Sequence, residues 1–280
     1  MKNLFWILFV SVFISCSNNS KKETYVEKDV IKSVYTDGYV GDSQCMSCHK
    51  DAVESWKGSD HDLAMQIADS STVLADFNDV KITLDGVSYF FTKKQKDYFV
   101  QIKEIDGVET TYKIAYTFGV TPLQQYISDF EDGKKQVLRV TWDVINKKWY
   151  HQYEGDTTSP HDWLHWTKSS QNWNTMCAEC HSTNLKKHYL VEEDAFNTSY
   201  SFINVNCESC HGPAENHVNW ANNIQDSLAT NKYILSGKNQ FAQMNMCAPC
   251  HSRRAKLTQN FEPGKHFEDQ YLLSFTIFPN

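Results

Sequence analysis

The sequence has no apolar run long enough to cross a membrane. Its most apolar stretch, Leu4 to Ile14 after Lys2, falls well short of the roughly 20 residues a membrane helix requires and suits the core of a signal peptide. Basic charge is scarce as well. With 27 Lys and Arg against 34 Asp and Glu, the formal net charge is −7 and the pI is near 5.9. Nucleic-acid binding needs a basic footprint, so nucleic acid is excluded as a partner. An acidic soluble protein is instead suited to partners that present a basic docking patch. There is no low-complexity tract, no internal repeat beyond one five-residue motif, and no catalytic constellation of a hydrolytic or transfer type.

What is present is that motif, four times: Cys45-Met46-Ser47-Cys48-His49, Cys177-Ala178-Glu179-Cys180-His181, Cys207-Glu208-Ser209-Cys210-His211 and Cys247-Ala248-Pro249-Cys250-His251. Cys-x-x-Cys-His reads as a covalent haem attachment site. Two thiols at this spacing reach the two vinyl groups of one porphyrin, and the histidine that follows swings under its face to bind iron. Half a zinc site or a redox dithiol would also use Cys-x-x-Cys, but neither needs a histidine directly after the second cysteine. The expected cofactors are therefore four covalently attached haems c and their iron. Cys45, Cys48, Cys177, Cys180, Cys207, Cys210, Cys247 and Cys250 form the thioethers, and His49, His181, His211 and His251 are the proximal ligands.

Eight of the nine cysteines are consumed this way, which leaves none for disulfides. The ninth, Cys16, ends Phe13-Ile14-Ser15-Cys16, which is similar to a bacterial lipobox. Residues 1–15 read as a signal peptide, Cys16 as a lipidation site, and 16–38 as lipid anchor and polar tether. Covalent haem is attached outside the bacterial cytoplasm, so export and haem support each other. The expected location is the periplasm or cell surface, with a membrane lipid anchor.

Residues 39–79 form the first haem region. From 80 to 156 short aromatic and β-branched runs, such as Val87-Ser88-Tyr89-Phe90-Phe91 and Thr111-Tyr112-Lys113-Ile114-Ala115-Tyr116, are separated by Asp85-Gly86, Asp106-Gly107 and Asp132-Gly133. This pattern predicts an antiparallel β-meander insert. Residues 157–280 form a three-haem region of short helices and loops. The expected fold class is α+β, haem-packed, with porphyrins supplying burial that so little secondary structure cannot.

Each haem needs a second axial ligand to be a low-spin electron carrier, and an iron without one can bind a small molecule. Eleven histidines are enough for both ligands at every iron. The candidates for the distal position are His61 in Trp56-Lys57-Gly58-Ser59-Asp60-His61, His165 in Trp163-Leu164-His165-Trp166, and His217. His217 follows His211 too closely to reach over the same haem, but it can serve a neighbouring one.

Several stretches resemble the cytochrome c-552/c-554 family of multihaem cytochromes, and exported relatives that often carry tetratricopeptide repeats. They are Tyr39-Val40-Gly41-Asp42-Ser43-Gln44 leading into the first motif, Gln171-Asn172-Trp173-Asn174, His181-Ser182-Thr183-Asn184, His211-Gly212-Pro213 and His251-Ser252-Arg253-Arg254. The resemblance runs from about Tyr39 to Leu273. It implies that His61 and His217 match distal ligands, and that further haem motifs can follow this length of chain. The expected function is an exported tetrahaem cytochrome c relaying single electrons between redox partner proteins of a respiratory chain. The alternative is a multihaem oxidoreductase in which one five-coordinate haem acts on a small nitrogen or sulfur compound, the only case that calls for a small-molecule substrate.

Overall fold

The structure, a computed structural model, describes residues 38–223, 239–258, 262 and 265–274. The expected signal peptide, Cys16 and the tether up to residue 37 lie outside the described residues. The fold is mixed α and β, with antiparallel sheets and few, short helices. Among the described residues no helix is long and apolar enough to cross a membrane.

The chain enters through α1 (Asp42–Met46) and α2 (Lys50–Trp56) and then makes β1 (Met65–Ile67). A four-stranded meander follows: β2 (Val80–Leu84), β3 (Val87–Lys94), β4 (Asp97–Lys103) and β5 (Glu109–Ile114). Asp85 and Gly86 join the first two strands with φ of 49° and 80°, the doubly positive turn that matches strand twist and that Asp-Gly favours. In β3, Val87, Tyr89 and Phe91 are buried; in β4, Tyr98, Val100 and Ile102 are. The register sets Tyr89 opposite Ile102 and Phe91 opposite Val100. Because side chains alternate with a period of two, a slip of one residue would turn this whole apolar face to solvent.

The single meander expected from the sequence is in fact two sheets. The second contains β6 (Tyr116–Phe118), β7 (Leu123–Asp129), β8 (Lys135–Val137), β9 (Val140–Asp143) and β10 (Lys148–His151). Its order is β1-β6-β7-β9-β10, with β8 also paired to β7. The run Thr111 to Tyr116 changes sheets at Ala115. There the amide donates to the Ile127 carbonyl at 2.8 Å and the carbonyl accepts from the Ala68 amide at 3.0 Å. The run Gln136 to Trp142 divides in the same way, with the Leu138 amide donating to the Tyr126 carbonyl between β8 and β9.

The two sheets enclose an aromatic core. Phe77 meets Phe91, Tyr98, Tyr126 and Trp149 edge-on at 5.1 to 5.7 Å, and Phe91 stacks on Trp149 at 3.9 Å. Edge-to-face and stacked pairs at these separations add to the burial of large apolar area.

Beyond β10 come α3 (Trp173–Met176), α4 (Ala178–His181), a hairpin of β11 (Tyr189–Leu190) and β12 (Ala195–Phe196), α5 (Cys207–His211), α6 (Glu215–Asn222) and α7 (Gln240–His251). Then β13 (Arg254–Lys256), α8 (Phe267–Gln270) and β14 (Tyr271–Leu273) follow, β13 pairing with β14. A smaller cluster of Met65, Tyr116, Ile127, Val137, Trp173 and Ala178 fastens the second sheet to α3 and α4. At Gly133, with φ of 74°, a Cβ would overlap the Phe196 carbonyl oxygen, so only glycine lets the β7–β8 turn pass this close to β12.

Candidate haem centres

Each motif occupies about one helical turn. The first cysteine of the first motif lies in α1 and its histidine caps α2, with the His49 amide donating to the Cys45 carbonyl at 2.8 Å. The second runs from the end of α3 through α4, the third is α5, and the fourth ends α7. On a helical turn, positions i, i+3 and i+4 share a face, so two thiols and an imidazole project to one side. Asparagines cap the helices that carry or lead into three of the motifs: the side chains of Asn172 before α3, Asn206 before α5 and Asn239 before α7 accept from the amides of Thr175, Glu208 and Ala242. Such caps satisfy amides that a short helix leaves open.

The motifs are gathered in twos around two cavities. The first, about 640 Å³, is lined by Cys45, Cys48, His49, Cys207, Cys210 and His211, with apolar walls from Val53, Val205 and Val218. The second, about 330 Å³, is lined by Cys180, His181, Cys247, Cys250 and His251. The two cavities adjoin, since Cys210 and His61 line both, and Cys210 lies near Cys247; the hydrogen-bonded thiols nevertheless give the same grouping. Cys45 and Cys207 share a hydrogen bond, which raises the pKa of Cys45 and lowers that of Cys207. Cys180 and Cys250 share another, which draws Cys180 down to about 7 and raises Cys250. No disulfide joins the motif cysteines.

Histidines from outside the motifs complete the cavities. His217, on α6, stands opposite His49 with ring centres 6.2 Å apart and planes 28° apart. His61 stands opposite His251 at 6.0 Å and 75°. With metal–nitrogen bonds of about 2 Å on either side and slightly over 1 Å from each nitrogen to its ring centre, imidazoles that bracket one ion have centres about 6 Å apart. His217 also carries a buried Nδ1 with no partner. A buried unsatisfied polar atom calls for a group such as a bound ion. The residues therefore fit haem iron. Among the described residues, no group of three or more His, Cys, Asp and Glu is arranged to hold a bare metal ion, as structural zinc would require.

His181 is also buried, and its Nδ1 likewise lacks a partner. Burial holds its pKa below the ordinary value; His61 and His251 nearby add to this, and a contact with the Ala64 carbonyl opposes it. Metal ligation needs the neutral ring. Its aromatic neighbour is Phe118, with ring centres 4.4 Å apart. His165 lines neither cavity. It is packed against the β region, its Nε2 3.2 Å from Glu104 and its Nδ1 2.9 Å from the Thr167 hydroxyl, while the neighbouring Trp166 indole donates to the same Glu104.

Two acids inside the motifs went unnoticed in the sequence. Glu208 is buried and accepts from the amides of Val40, Gly41 and Ala214 at 2.8 to 3.1 Å. It thereby fastens the lead-in to the first motif onto the third. Glu179 in the second motif is bound by Lys256, Arg254 and Tyr271, all from the β13–β14 hairpin that follows the fourth. Burial raises the Glu179 pKa, but Lys256 and Arg254 outweigh it and hold the carboxyl below its ordinary value. The only sequence signal was an acid in the variable middle of Cys-Ala-Glu-Cys-His and Cys-Glu-Ser-Cys-His.

One-turn motifs that aim paired thiols and imidazoles into shared cavities are the arrangement that a c-type cytochrome of the multihaem class would need. Residues 44–97 and 144–212 match the family described as cytochrome c554 and c-prime. In the solved structures, the fold is similar to "Crystal Structure of Outer Cell Wall Cytochrome OcwA", with a TM-score of 0.55 at 19% identity over 85% of this chain. The chain spans 45% of that protein's length. No curated protein matches the sequence. The family match covers less than half of the chain and the structural likeness concerns the fold; together they support kinship with c-554-like multihaem cytochromes.

Proposed function

We propose that the protein is an exported tetrahaem cytochrome c that relays single electrons between redox partner proteins. Haem c supplies a one-electron iron couple when bound. The chain's part is to hold four such groups in two cavities, the first and third motifs sharing one and the second and fourth the other. Cys45, Cys48, Cys177, Cys180, Cys207, Cys210, Cys247 and Cys250 are the attachment sites, and His49, His181, His211 and His251 the proximal ligands. His217 and His61 take the distal positions opposite His49 and His251. The observation that carries the reading is this pair of facing imidazoles at 6.2 and 6.0 Å. Haem attachment implies a place outside the cytoplasm, in keeping with the cell-wall setting in the name of the structural neighbour. Lipidation at Cys16 would tether the chain to a membrane there.

The test is the haem count per chain and the electron paramagnetic resonance spectrum of the oxidised protein, alongside His217→Ala and His61→Ala. Four haems are expected, with each substitution converting one low-spin signal to high spin. Fewer than four haems in the parent protein, or low-spin signals unchanged in both variants, would overturn the assignment. A second reading is an oxidoreductase with one open iron, and the second motif is its candidate, because the ring packed on His181 is Phe118, which has no ligating atom. It expects a high-spin signal in the parent protein that shifts on adding nitrite, hydroxylamine or sulfite.

A further inference from the structure

We propose that Arg254 is a positioning residue that sets the reduction potential of the haem held by Cys177, Cys180 and His181, with Glu179 as its counterweight. The inference rests on the haem reading above and concerns the chain's own charges around that group.

Four contacts fix the guanidinium. Its Nε donates to the Pro249 carbonyl at 2.6 Å, one terminal nitrogen lies 3.7 Å from the Cys180 sulfur, the other lies 3.5 Å from Glu179, and the group covers the Tyr271 ring at 4.4 Å. Its side chain is only 12% exposed. Pro249 is in the last turn of α7, whose carbonyls have no helical partner and carry partial negative charge, so a cation there is favoured. Arg254 thus follows the fourth motif in sequence, touches it through Pro249, and also sits at the sulfur of the second. A bidentate, planar, permanently charged group suits this role better than a flexible ammonium.

The electrostatics have a sign. Adding an electron to an iron centre is favoured by a nearby fixed cation and opposed by a nearby anion, and more strongly where water is excluded. Around Glu179 the structure places two cations, Arg254 and Lys256 with Nζ at 2.8 Å, against one carboxylate, with the Tyr271 hydroxyl donating to it at 3.1 Å. The surplus is positive and lies where the second and fourth motifs meet, in contact with Glu179 and near the Cys180 sulfur.

The test is a spectroelectrochemical titration of the four-haem protein and its variants, with haem counted on the same samples. Arg254→Gln is expected to move one of the one-electron waves to lower potential, and Glu179→Gln to move that same wave to higher potential. Arg254→Lys keeps the charge and should restore most of the parent value. With haem count intact, an unmoved wave, or movement of the same sign in both variants, overturns the proposal. Should Arg254→Gln take up less haem, Lys256→Gln replaces it and must give the same downward shift. Fewer than four haems in the parent protein would instead sink the haem reading, so the two failures are distinguishable.

Discussion

The two halves of this chain are held together by different means. In the β half, Phe77, Phe91, Tyr126 and Trp149 form a closed aromatic core between two sheets, and strand register and turns agree with it. In the motif half, α1 and α6 bury no residue of their own, and α7 buries only Pro249. Phe241 and Met244 on α7 and Leu257 and Leu272 around the last hairpin are exposed. Helices of four to twelve residues are marginal without tertiary packing. One half thus makes its core from side chains, while the other surrounds cavities and depends on what fills them. The family match covers the first three motifs together with β1, β2, β3 and β10, and omits residues 98–143, which hold the middle strands of the two sheets.

The largest expected effect breaks the comparison open. In protein made without haem attachment, amides of β3, β4 and β7 should keep strong hydrogen-exchange protection, while those of α5, α6 and α7 exchange freely; full haem loading should protect both. Protection of α7 in the haem-free chain would show that the motif half folds without its cofactor. Next comes Trp149→Ala. Deleting a large buried aromatic costs about 3–5 kcal/mol through lost burial and a residual cavity. Trp149 stacks on Phe91 and meets Tyr126 and Trp142 at 5.4 Å, so the upper part of that range is expected in urea unfolding followed by near-ultraviolet circular dichroism. Haem count should be unaffected, because Trp149 lines neither haem cavity.

The same division explains what could be read in advance. Thiol and imidazole positions within each motif were legible because their spacing is covalent chemistry. The strands were legible because β-branched and aromatic runs bracketed by Asp-Gly announce themselves locally, as at Asp85-Gly86. The change of sheet at Ala115 was not, because it depends on contacts with Ile127 in β7 and with Ala68, far back along the chain. Nor could sequence show which imidazole faces which motif: His217 and His49 meet across a long separation, and so do His61 and His251. His165 illustrates the point differently. Its aromatic neighbours suggested a porphyrin wall, and in the structure Trp166 belongs to the β core instead.

The smallest effect separates the halves by pH. Glu104 has a side chain only 12% exposed, beside His165 and under the Trp166 indole. Burial raises its pKa, but the hydrogen bonds from His165 and Trp166 and the charge of Arg139 together leave it below the ordinary 4.5. A carboxyl whose folded pKa lies below its unfolded value contributes stability that is fully present above the unfolded value. That contribution is lost as pH falls through the folded one. The β half should therefore weaken progressively below about pH 4.5, as carboxylates that are hydrogen-bonded in the fold take up protons. Glu104→Gln should lower the urea midpoint at pH 7 and flatten its acid dependence, so that the two proteins converge once the pH is below the folded pKa of Glu104. Tryptophan circular dichroism should register the difference and Soret absorbance should not, since Glu104 lines neither haem cavity. Parallel pH profiles for the two proteins would show that the Glu104 cluster contributes no titrating stability.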